Sequence, residues 1–186
     1  ALVLTTALVM GAVALVAWHA MAPERAGPRA AFGFWPLLLL LWAALNAVFA
    51  SRDLFNLYVG IELLSLAAIG LVALGGTAAA LAAAMRYMIF ALAGSLLYLA
   101  GVAIVYAAHG ALDIDLLAAR RPAGTDALAL ALMTAGLMAK TALFPFHVWL
   151  PPAHAGAPAP ASAVLSALVP KASFVILLRL WTEAMP

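Results

Sequence analysis

The sequence contains no cysteine among its 186 residues. Disulfides, thiolate metal sites and cysteine-held iron–sulfur clusters are therefore excluded within the chain. Charge is nearly as scarce. Asp, Glu, Lys and Arg make up 9% of the residues, against about a quarter in a soluble globular domain. A net charge of +2 is too small to argue for nucleic acid as a partner. What is present is apolar: 68% of the residues are hydrophobic, and the mean hydropathy is +1.15. No soluble fold hides that much apolar surface in a chain of this length, so lipid acts as solvent and the chain is an integral membrane protein. The opening ALVLTTALVMGAVALVAWHAM lacks an initiator methionine, a basic n-region and a cleavage pattern, which marks a spanning helix rather than a signal peptide. The other end, LWTEAMP, stops directly after a span. The chain is expected to be a fragment of a longer protein, forming a single transmembrane domain over 1–186.

A span needs about 20 mainly apolar residues. Six segments meet or nearly meet that length, at 1–21, 32–50, 54–74, 87–108, 127–150 and 161–181. The alternation of barrel strands is missing, and separate spans in lipid must be helices. The expected fold is all-α, a polytopic transmembrane helix bundle of about six spans. Its extended polar connections are 21–31 and 109–126, and within the second ALDIDLLAA suits a short helix in the membrane interface. Alternating sides place Arg25, Arg29 and Arg86 against Arg52, Arg120, Arg121 and Arg179, a balance that leaves orientation open under the positive-inside rule. Trp18, Trp35, Trp149 and Trp181 lie near segment ends, as aromatic belts do.

Against this background, three ionisable residues stand out inside spans: Glu62, Lys140 and Lys171. Each costs at least about 2.5 kcal/mol at the bilayer centre, so such groups face a bundle interior or a wet cavity and mark ion pathways. Tyr58 and Ser65 lie one helical turn to either side of Glu62, forming a polar stripe. Pro170 removes the backbone donor that would bond the Ser166 carbonyl, leaving that oxygen free beside Lys171. Lys140, His147 and His154 recur at intervals of seven, but Pro145, Pro151 and Pro152 lie among them. The span is therefore expected to break near Phe144–Pro152. Broken helices are where transporters place their ion sites, and histidine titrates near neutral pH. Glu62, Lys140, Lys171, His147 and His154 form the candidate proton-translocation set, while His19 and His109 lie at segment ends and are given no role. Two other readings remain. Either the buried charges are static salt bridges in a structural subunit, with Lys140 free to snorkel, or His147 and His154 bind haem. The second requires ligands that face each other from different helices.

RDLFNLYVGIELLSLAA around Glu62, and KTALFPFHVWLPPAHAGAPAPASAVLSALVPKAS from Lys140 to Ser173, resemble the antiporter-like family. That family comprises proton-pumping subunits of respiratory complex I (NADH-quinone oxidoreductase), large subunits of Mrp-type cation/proton antiporters, and relatives in membrane-bound hydrogenases. DLFNLYVGIELL and APAPASAVLSALVPKAS are slightly closer to the Mrp and hydrogenase branches. The resemblance implies about fourteen spans in the whole subunit, built from two inverted five-helix repeats, of which this chain holds one repeat and one preceding span. By the same resemblance Glu62 matches the fifth-span glutamate, Lys140 the lysine at the seventh-span break, Lys171 the eighth-span lysine, and His147 and His154 the histidines flanking the break. The implied function is a proton-translocating half-channel in a bacterial or archaeal inner membrane. Other membrane subunits would be its partners, and protons, with Na+ or K+, its ions. No cofactor or metal is expected on this chain; any redox sites would lie on other subunits.

Overall fold

Helix boundaries follow the few polar and glycine residues that interrupt the apolar sequence. In the computed structural model, residues 1–184 are described; the last two residues of the expected domain lie outside them. The chain runs through α1 (Leu2–Ala20), α2 (Pro23–Ala26), α3 (Pro28–Ala50), α4 (Leu54–Ala73), α5 (Ala78–His109), α6 (Ile114–Ala118) and α7 (Asp126–Thr141). A 3₁₀ turn (Phe146–Trp149), α8 (Leu150–Gly156), α9 (Ala159–Ala167), α10 (Val169–Arg179) and a π turn (Leu180–Ala184) follow. Six helical segments are long and apolar enough to cross a membrane, and no strand occurs among the described residues. The all-α membrane bundle is thus the observed architecture.

Local chemistry accounts for the turns. Asp53 accepts hydrogen bonds from the amides of Phe55 and Asn56, and Asp113 does the same for Asp115 and Leu116. These are side-chain N-caps, which satisfy amides that a helix start leaves without partners. The two caps are tied together by an antiparallel bridge between Asp53 and Asp113. Gly110, at φ +62°, closes α5 in the left-handed conformation that glycine adopts freely. The short interfacial helix expected in ALDIDLLAA is α6.

Four segments differ from the expected bounds. The second starts at Pro28 instead of 32, and α2 takes up part of the connection expected to be extended; both helices begin with a proline, which the first turn tolerates. The fourth starts at Ala78 instead of 87, because its alanine-rich entry is strongly helix-forming and Arg86 sits on an exposed face. The fifth breaks earlier than its prolines suggest. Helix α7 ends at Thr141, Ala142 takes a left-handed φ of 57°, and Pro151 and Pro152 lie in the first turn of α8, where a missing N–H costs little. The sixth is divided at Leu168, whose φ is −126°, just before Pro170. The core gathers on the facing sides of α3, α4, α5, α7 and α10, with Leu41, Leu45, Leu57, Ile61, Tyr98 and Leu137 fully buried. Leu8, Leu15 and Leu96 point outward, as lipid-facing residues do.

Candidate functional site

Glycine decides how closely α5 and α7 approach. A Cβ on Gly94 would meet the Gly136 carbonyl at 2.7 Å and Lys140 Cγ at 3.2 Å; one on Gly136 would strike the Gly94 carbonyl and reach the Tyr98 amide at 2.8 Å. Small residues permit such backbone contact between membrane helices. The contact lays the Lys140 stem along α5 and delivers its ammonium to α4.

There Lys140 Nζ donates to Glu62 Oε1 at 2.9 Å, to Ser65 Oγ at 2.8 Å and to the Ile61 carbonyl at 3.5 Å. Ser65 donates in turn to the Ile61 carbonyl at 2.7 Å, and Ser95 on α5 donates to the same Glu62 oxygen. Lys140 and both serines are buried, and Glu62 is half-buried. Lys140 therefore points inward and pairs with Glu62 instead of snorkelling. Ser65 belongs to the polar stripe noted beside Glu62. Ser95 was not singled out from the sequence, where a lone serine in an apolar helix gives little signal before its neighbours across the bundle are known.

The break itself is held by Trp149. Its indole stacks on Tyr87 at 4.1 Å between centroids, and its Nε1 donates to the Ala139 carbonyl at 2.9 Å. This bond adds to the long 3.4 Å one that the same carbonyl accepts from the Ala142 amide at the end of α7, where the regular helical donor is lost. Expected in an interfacial belt, Trp149 is 1% exposed; its two ring partners explain why.

On the other side of α7, a cleft of about 340 Å³ is lined by Thr141, Leu150, His154, Pro170, Lys171 and Phe174. Lys171 Nζ donates to the Ser166 carbonyl, the oxygen that Pro170 leaves without a helical donor. His154 Nδ1 and Ser162 Oγ share a hydrogen bond at 2.9 Å. The hydroxyl of Thr141, one residue after Lys140, is buried without a partner among the described residues. The five candidate residues thus divide. Glu62 and Lys140 are in contact, His154 and Lys171 share the cleft, and His147 joins neither group. His147 is exposed on the 3₁₀ turn, with its ring 5.9 Å from that of Phe144.

A third polar region lies at the helix ends around Ser51–Asp53. Arg52 donates to both Asp115 oxygens, the shorter contact being 2.5 Å, and to Glu183 at 3.0 Å. The Arg52 guanidinium, through its hydrogen bonds, holds the Asp115 carboxyl below the usual carboxylate range. Arg179 donates to the carbonyls of Val48, Phe49 and Ser51, which capping by a cation at a helix C-terminus explains. His109, given no role from the sequence, pairs with Asp126 at 2.8 Å.

Comparison with known proteins bears on this arrangement. A family profile described as NADH:quinone oxidoreductase/Mrp antiporter, TM matches residues 51–185. NADH-quinone oxidoreductase subunit N of Desulforudis audaxviator is 43% identical over 157 residues, which cover 82% of this chain and 31% of that protein. A Na(+)/H(+) antiporter subunit of Bacillus subtilis is 33% identical over 187 residues, covering 97% of this chain and 37% of the relative. Among solved structures, the Mrp complex from Dietzia sp. DQ12-45-1b superimposes with a TM-score of 0.86 at 30% identity, over 98% of this chain and 34% of the matched one. A chain of an archaeal respiratory complex, the membrane-bound sulfane sulfur reductase, gives 0.74 at 34% identity over 77% of this chain and 30% of its own. The chain spans about a third of the length of the curated relatives it matches.

Proposed function

The chain belongs to the NADH:quinone oxidoreductase/Mrp antiporter transmembrane family, and from that premise we propose that it is a proton-conducting half-channel of a multi-subunit complex in a bacterial or archaeal inner membrane. It supplies one five-helix repeat of the longer architecture, and other membrane subunits carry any redox sites. One observation carries the reading: Lys140 is paired with Glu62 inside the bundle, one residue before a helix end that opens on a cleft shared by His154 and Lys171.

The mechanism follows from electrostatics in a weakly screened interior. The Glu62 carboxylate stabilises the Lys140 ammonium. When Glu62 is protonated or drawn aside, that stabilisation goes and the lysine proton is released. In this reading the proton leaves the pair past Thr141, which lines the cleft with His154 and Lys171, and water in the cleft links the three. The Lys171 ammonium donates to the Ser166 carbonyl and has no carboxylate partner among the described residues, so it is suited to pass its proton on and, once neutral, to take up the next. Glu62, whose side chain is more exposed than that of Lys140, is the member of the pair open to coupling with a neighbouring subunit.

A static reading has support from the same pair, since a fixed salt bridge has this geometry too. Substituting Lys140→Arg separates the two. Arginine keeps charge and pairing but hardly ever deprotonates. In vesicles containing the purified complex at equal protein content, the arginine variant should assemble and take up protons no faster than Lys140→Ala. Near-wild-type uptake by the arginine variant would remove Lys140 from the pathway and leave the static reading standing.

A further inference from the structure

Where α5 ends and α7 begins, a cavity of about 370 Å³ opens among the helix ends, within the size range of small-molecule sites. Leu117 and Leu130 supply its apolar wall, and His109, Arg120, Arg121 and Asp126 its polar one. The carboxylate in that wall is already satisfied. Asp126 Oδ1 pairs with His109 Nε2 at 2.8 Å, and Oδ2 accepts from the Ala123 amide at 2.7 Å. The guanidinium groups are not. Arg120 donates from one nitrogen to the His109 carbonyl, which leaves most of its five N–H groups unused. Arg121 is exposed and has no hydrogen-bond partner within the protein among the described residues. By contrast, Arg52 holds two carboxylates and Arg179 three carbonyls.

The cavity lies at headgroup depth. The interfacial helix α6 forms part of its wall through Leu117. Leu116 and Leu128 turn outward beside it, and Tyr106 is exposed on the last turn of α5. Exposed leucines at a helix end meet acyl chains, while tyrosine and arginine reach the polar layer above them.

We propose that this cavity holds the phosphate group of an anionic glycerophospholipid, gripped by Arg120 and Arg121, with its acyl chains lying along the outward faces of α6 and α7. The guanidinium fork matches phosphate oxygens two at a time, and basic pockets between membrane helices take such headgroups. Two arginines outweigh Asp126, so the wall is positive whether His109 is neutral or protonated. A zwitterionic headgroup would press its own ammonium against those arginines; a headgroup whose phosphate is its sole charge does not. The site stands at the opposite end of α7 from Lys140 and is independent of proton movement there.

The test titrates the purified complex in detergent with short-chain phosphatidylglycerol, short-chain phosphatidylcholine or inorganic phosphate. Binding to the folded state raises the unfolding midpoint, and native mass spectrometry counts the lipids retained. Phosphatidylglycerol should act at lower concentration than phosphatidylcholine, and inorganic phosphate should act weakly. Arg121→Gln, which breaks no hydrogen bond described within the protein, should raise the phosphatidylglycerol concentration required about fivefold, the factor for one basic residue at an anionic surface. Arg121→Lys, which keeps the charge and loses the fork, should fall between. Combining Arg120→Gln with Arg121→Gln should remove one anionic lipid per copy of the chain. Arg29→Gln takes the same charge from the other end of the bundle and should change neither reading. Should the double variant not assemble, Arg121→Gln decides alone. An equal response to phosphatidylcholine overturns the proposal, as does an unchanged response in Arg121→Gln. An equal response to inorganic phosphate would replace the lipid with a soluble anion. Matching losses in Arg29→Gln would reduce the effect to net charge and remove the site.

Discussion

Two of the carboxylate ion pairs, one anchored by arginine and one by lysine, invite opposite conclusions from distance and from burial. Arg52 and Asp115 approach to 2.5 Å with side chains 44% and 67% exposed, whereas Lys140 and Glu62 stand 2.9 Å apart with side chains 3% and 21% exposed. The shorter contact is the weaker one. Where water competes for both partners and salt screens them, an ion pair adds little. Inside the bundle there is no such competition, and removing one partner leaves a charge that nothing else neutralises. The exposed network fastens helix ends, while the buried pair stores a difference that protonation can release.

Breaking each pair in the same way gives the largest contrast. Glu62→Gln abandons a buried ammonium and should cost about 3 kcal/mol or more, read as a lowered unfolding midpoint of the purified complex. Asp115→Asn should leave that midpoint almost unchanged. Combining Glu62→Gln with Lys140→Met should recover most of the loss, because an apolar side chain of similar volume removes the stranded charge. If the double variant is no more stable than the single, the pair is not coupled as described.

The buried pair was partly legible in the sequence and the exposed one was not. Glu62, Lys140 and Lys171 are conspicuous because membrane depth makes any charge costly. Pro170 pointed to the Ser166 carbonyl through simple backbone bookkeeping. That Lys140 meets Glu62 while Lys171 faces a cleft depends on the rotation of α7 and α10, which hydrophobic periodicity cannot report in helices that are apolar all round. The earlier break at Ala142 was hidden for another reason: proline marks a helix start as readily as an end, and Pro151–Pro152 start one. Nothing near Arg52 announced Asp115 and Glu183, which are 63 and 131 residues away in sequence.

A smaller effect tests what sets the buried geometry. If the α5–α7 contact places Lys140, a methyl group at the contact should disturb it without touching any charge. A Cβ at position 136 meets backbone atoms of Gly94 and Tyr98, which cannot rotate away. Gly136→Ala should therefore cost about 2 kcal/mol, within the range for overpacking, and should lower proton uptake as Lys140 is displaced from Glu62. Gly124→Ala, where a Cβ has no atom within 4 Å, is the matched control and should change neither. Equal behaviour of the two variants would mean that the helix approach does not position the lysine.

The smallest effect belongs to the exposed pair and concerns pH. Asp115 is held below the usual carboxylate range by hydrogen bonds from Arg52. A carboxyl depressed in the folded state contributes stability that is complete above its unfolded value, about 3.9, and that disappears as pH falls through the folded value. The difference in unfolding midpoint between wild type and Asp115→Asn should accordingly be slight, constant from pH 8 to about 5, and fade only below about pH 4. Raising salt to about 1 M, where the Debye length is about 3 Å, should reduce it at every pH. The loss in Glu62→Gln, which arises in the interior, should persist in the same salt. A neutral-pH transition in the Asp115 difference, or salt-insensitive stabilisation by Arg52, would contradict the assignment of this pair to the solvated helix ends and bring the two regions onto the same electrostatic footing.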